Sequence, residues 1–168
     1  MTRTDPATTG DESTLLSGFA DYLRETIAVK TDGLDAAGLA ASHPPSTMTL
    51  GGMLKHLTFV EDYWVQVLTG GQTCAPWDSV VWDDDADWDW HSAAADSPDQ
   101  LREQWRAAVQ RSKALLPGDD PDRLSMKTNR SGEHFSARWI LIHLIEEYGR
   151  HCGHADLIRE SIDGTVGE

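Results

Sequence analysis

The sequence predicts an all-α fold, a four-helix bundle with a long Trp- and Asp-rich insertion between its second and third helices. Three observations predict it. Four stretches carry apolar residues at spacings of three and four, and most are bounded by capping and breaking residues. Alternating runs of strand type are hard to find. The 168 residues and 18.6 kDa are about one ordinary domain, and four amphipathic helices hide their apolar stripes by packing against one another.

Residues 1–12 mix Thr, Asp, Pro and Gly without an apolar period and read as a mobile tail, and 162–168 read the same way, so that 13–164 forms the single domain. The first helix is expected from Leu15 to about Val29, with Leu15, Leu16, Phe19, Leu23 and Ile27 on its apolar face and Ser13 or Thr14 as its cap. Gly33, Gly38, His43, Pro44 and Pro45 break any helix that follows. Thr47 or Thr49 can cap a second helix from about Leu50 to Leu68, which Gly70 and Gly71 end. The third begins at Pro98, a favoured first-turn residue, and runs to Leu116 before Pro117 and Gly118 stop it. The fourth spans about Ser136 to Ser161. The insertion at 72–97 holds Trp77, Trp82, Trp88 and Trp90 among Asp83, Asp84, Asp85, Asp87 and Asp89, too aromatic for a solvated loop, and reads as a wall, a lid or a structural plug.

Fourteen Lys plus Arg against twenty-eight Asp plus Glu leave a net charge of −14, which repels phosphate backbones and anionic lipid surfaces, so nucleic acid and membrane partners are not expected. No apolar run approaches the ~18–20 residues of a membrane span and no signal-peptide segment opens the chain, which points to the cytoplasm. Cys74 and Cys152 form neither a disulfide framework nor a Cys-x-x-Cys pair.

Seven histidines are present, three of them in the fourth helix. On a wheel advancing about 100° per residue, Glu147 and His151 stack one turn apart inside or beside the buried stripe of that helix. The same construction puts His56 on the flank of the apolar arc of the second helix. If the two helices face each other, His56, Glu147 and His151 converge as two nitrogens and a carboxylate, the ligand set of an open catalytic metal site. The spacing is equally compatible with a hydrogen-bonded core histidine and a buried Glu–His pair. His143 and His154 suit supporting or capping roles, Arg150 and Arg159 a solvated face paired with Glu146 or Glu160, and Trp64 and Trp139 the core.

The segment from Met48 through Gly51-Gly52 to His56, together with His143-Leu-Ile-Glu-Glu147-Tyr-Gly-Arg-His151-Cys-Gly-His154, resembles the DinB-like superfamily over about residues 12–164. Within it the chain is similar to the actinobacterial branch related to mycothiol-dependent maleylpyruvate isomerases. The resemblance implies an up-down-down-up bundle, often homodimeric, holding Zn²⁺ or Ni²⁺ through three side chains. Those ligands map to His56, Glu147 and His151, with His154 standing where the family commonly has Gln. It also implies chemistry with a low-molecular-weight thiol, mycothiol, in S-transfer to, or isomerisation of, a small electrophile. The isomerases carry a further C-terminal domain, and this chain stops soon after its fourth helix, so S-transfer is the expected activity. Two other classes remain in play: a non-catalytic bundle that binds a metal or small molecule, which a fourth ligand such as His143 or His154 would favour, and a metal-dependent hydrolase with Glu146 or Glu61 as base.

Overall fold

The computed structural model describes residues 3–116 and 120–166. Helices dominate: α1 (Glu12–Thr31), α2 (Ala36–Ala40), α3 (Leu50–Thr69), α4 (Trp88–His91), α5 (Pro98–Lys113) and α6 (Ala137–Asp163). Between α5 and α6 lies a two-stranded antiparallel sheet of β1 (Leu124–Thr128) and β2 (His134–Ser136). The expected stop at Pro117 and Gly118 falls outside the described residues.

Side-chain caps set where the long helices begin. The hydroxyls of Thr49, Ser97 and Ser136 accept from the free amides of Gly52, Gln100 and Trp139, and Gln100 returns the bond to the Ser97 amide as a capping box. Gly70 ends α3 at φ 72°, a conformation that favours glycine. The first helix starts earlier than its apolar period suggests, because Asp11, rather than Ser13 or Thr14, accepts from the Thr14 amide and adds a first turn. The third helix stops at Lys113, short of Leu116.

Two features depart from the sequence reading. The Gly- and Pro-rich stretch after α1 contains the one-turn helix α2, capped by Asp35, although Gly38 lies within it. The hairpin is a further departure: its strands of five and three residues are too short to show alternation.

The helix α3 packs chiefly against α5, α1 against α6, and α3 also against α6. One core cluster joins Ile27, Leu39, Met53, Leu54, Leu57, Leu101, Trp105 and Tyr148 across all of these helices. A second, at the far end of α3, gathers Val60, Trp64, Val67 and Leu68 with Ile140 and Leu144. Phe19, expected in the core, is 51% exposed, while the buried face of α1 runs through Ala20, Arg24, Ile27 and Thr31. Arg24 turns inward because Glu61, wholly buried on α3, takes its guanidinium at 2.8 and 3.0 Å. A buried carboxylate must have such a partner. Trp64 is buried as expected. Trp139 is half exposed and stacks on His143 instead.

Among the described residues no helix is long and apolar enough to cross a membrane.

Candidate metal centre

The α3–α6 contact brings His56 to Glu147 and His151. His56 Nε2 lies 3.9 Å from Glu147 Oε2, and His151 Nε2 lies 3.6 Å from the same oxygen. One ligand atom from each of the three lies within 4.8 Å of the others, somewhat wider than the ~3.3 Å edge of a tetrahedron with zinc–ligand bonds of about 2.0–2.1 Å. His151 is buried, whereas His56 and Glu147 are partly open to solvent.

His56 is held from behind. Its Nδ1 lies 2.7 Å from Asp89 Oδ2, and since a carboxylate only accepts, Nδ1 carries the proton, which leaves Nε2, on the Glu147 side, as the atom that can ligate once it is deprotonated. Its ring stacks on Trp90 at 4.7 Å between centroids and meets His151 edge-on at 5.0 Å. Trp90 reaches this position because residue 52 has no side chain: a Cβ there would stand 2.9 Å from the Trp90 ring.

The electrostatics follow from these contacts. Burial opposes charge on His56, but the hydrogen bonds of Asp89 and Glu147 outweigh it and raise its pKa. Glu147 is held well below the ordinary carboxylate range, first by His151 and then by His56, against the opposing effect of burial. Burial and the neighbouring His151 and Arg150 lower His154. The Nδ1 atoms of His151 and His154 are buried with no hydrogen-bond partner among the described residues. Two imidazoles and a carboxylate, with carboxylate support behind one ring, match the donor chemistry that a borderline divalent cation takes, so the residues fit the metal.

A profile of the mycothiol-S-transferase family matches residues 15–164. The chain belongs to the mycothiol S-transferase family. Comparison with curated proteins gives no match.

In this family member His143 forms, with Glu146 and Glu147, a second group of side chains that could hold a cation, sharing Glu147 with the first. His143 places Nδ1 3.0 Å from Glu146 and Nε2 3.6 Å from the other oxygen of Glu147, so it is a neighbour on the outer side of that carboxylate. His154 meets the His151 ring at 5.6 Å between centroids. Arg159 pairs with Asp163 and the carbonyls of Lys30 and Asp32, not with Glu160. Glu61 is no free base: both oxygens accept from Arg24, and Tyr148 also donates to it at 2.9 Å. Glu146 is engaged with His143. The Cys152 thiol is pushed up to about 12 by burial, and burial also raises Cys74, so neither is an activated thiol.

The functional residues that helical spacing missed are Asp89 and Trp90. The signal was the run Asp87-Trp88-Asp89-Trp90-His91, but nothing in a loop sequence says which side chain returns to which helix.

Proposed function

We propose that this chain is a divalent-metal-dependent mycothiol S-transferase in which His56, Glu147 and His151 hold the cation, Zn²⁺ before Ni²⁺. The observation that carries the reading is the convergence of His56 Nε2, His151 Nε2 and Glu147 Oε2 with Asp89 fixing the far nitrogen of His56. Family membership over residues 15–164 supplies the thiol. A bound divalent cation stabilises a thiolate and so supplies the nucleophile that neither cysteine of the chain provides.

The chain's own residues then do three things. Asp89 holds the proton on Nδ1 and so keeps Nε2 of His56 directed at the site. Trp90 covers the His56 ring and excludes water from that side. The partly open edge beside Glu147 leaves room for the thiol, whose sulfur forms the new carbon–sulfur bond as the leaving group departs with its electron pair. We read the four long helices as the up-down-down-up bundle of the DinB-like relatives, and the working enzyme as a cytoplasmic homodimer, for which Ile142 and Leu157, exposed on α6, offer apolar surface.

Metal content by plasma mass spectrometry, on protein without a histidine tag, tests the centre. About one Zn²⁺ per chain is expected in wild type and none in His56→Ala, Glu147→Ala or His151→Ala. Wild-type protein that is folded yet takes up no metal on reconstitution refutes the reading.

A further inference from the structure

Beside the candidate centre a cavity of about 540 Å³ opens between α2, the first turn of α3, the α4 region and the start of α5. Its size is within the ~300–1,000 Å³ of small-molecule pockets. Leu39, Met48, Trp90, Ala93 and Leu101 give it a largely apolar wall. Trp90 is the element it shares with the metal-site residues, since the ring that lines the cavity also stacks on His56.

The charges around the cavity are one-sided. Asp87 and Asp96 belong to its lining, which includes no Lys or Arg among the described residues. Asp96 is held by Lys55 at 2.6 Å, and His91, at the edge, pairs with Asp85 at 3.0 Å. Asp87 therefore faces any occupant without a cation of the lining to offset it, and the chain as a whole carries −14. An anion is repelled here.

We infer that this cavity holds the carbon skeleton of an uncharged, apolar electrophile, beside the Trp90 ring that stacks on His56. The inference rests on the S-transferase reading for the word electrophile; the cavity's preference for neutral apolar molecules does not depend on it. Specificity then lies in α2 and the α4 region, while the thiol is handled on the α6 side. The cavity selects by shape and by the absence of negative charge.

Two probes with one aromatic skeleton test this directly. N-phenyl-1-naphthylamine is neutral, and 8-anilino-1-naphthalenesulfonate adds a sulfonate to the same framework. Fluorescence titration of the full chain should show saturable binding of the neutral probe, its displacement by the uncharged aryl electrophile 1-chloro-2,4-dinitrobenzene, and binding of the sulfonate weaker by about tenfold or more. Ala94→Trp fills the cavity from an exposed position, and Ala36→Trp does so from α2 on the other side. Each should weaken the neutral probe about tenfold while metal content stays at the wild-type value. Equal binding of the two probes, unchanged binding in both variants, or no binding by wild type overturns the cavity's preference. Failure of the aryl electrophile to displace the probe overturns its assignment to the electrophile. Metal content, measured on the same samples, is read separately, so loss of the metal reading leaves the probe result standing.

Discussion

The same two helices carry two polar clusters, and they differ in completeness. Deep in the core, Glu61 of α3 accepts from Arg24 through two nitrogens and from Tyr148 of α6, whose hydroxyl accepts from Trp105 at 2.9 Å. These groups close on one another, with Tyr148 and Glu61 out of solvent. Burial and Glu61 push the Tyr148 phenol up, so it stays a neutral donor to that carboxylate. About a turn away, His56, Glu147 and His151 approach without closing, at 3.6–3.9 Å, and the buried Nδ1 of His151 has no partner among the described residues. A closed buried network fixes how α3 and α6 sit against each other; an unclosed one leaves lone pairs for a ligand.

The contrast breaks most visibly in stability. Glu61→Ala leaves Arg24 charged and buried, and should cost about 3–5 kcal/mol in denaturant unfolding, against less than about 1 kcal/mol for Glu147→Ala. Comparable losses in the two variants would end the distinction. Metal should narrow the gap: at about 100 times its dissociation constant, Zn²⁺ adds about 2.7 kcal/mol to wild type and nothing to Glu147→Ala, read as a rise in midpoint. Asp89→Asn tests the support behind His56. It keeps the shape, and metal affinity measured by competition with a chromophoric chelator should fall about 10–100-fold, with the fold intact by circular dichroism. The smallest effect is at the rim of the closed cluster. Lys113, half exposed, meets Asp21 at 2.6 Å, and Lys113→Ala should change stability by no more than about 0.5 kcal/mol.

How much of this was legible in the sequence depends on whether the information is local. The starts of α3, α5 and α6 were readable because Thr49, one of two threonines on offer, Pro98 and Ser136 act within one turn of their own position, although Ser97, the cap of α5, was not singled out. Glu147 and His151 could be placed on one face because helical geometry fixes a separation of four. His56 could be set on the right flank for the same reason. The buried face of α1 was misread at Phe19 because it is decided by Glu61, thirty-seven residues beyond Arg24 in the chain. Asp89 and Trp90 were illegible for a similar reason: a loop has no period, and only the folded chain shows that they return to His56 and Gly52. Helix α2 and the hairpin were too short to rise above their turn-forming neighbours.

Two of the ties between the α3–α5 segment and the helix it leaves bracket its most exposed stretch. Trp77 donates to Asp62 at 3.1 Å, and Asp89 then returns to His56, six residues earlier on the same helix. Between the two ties the chain surfaces at Val81, Asp83, Asp84 and Ala86. That stretch works as a handle fastened at both ends: a fluorophore or short epitope attached there sits outside the site, within a few residues of Asp89, and a cut there leaves each new terminus leading to its own anchor on α3. It is the natural place to label, immobilise or circularly permute the protein while watching His56.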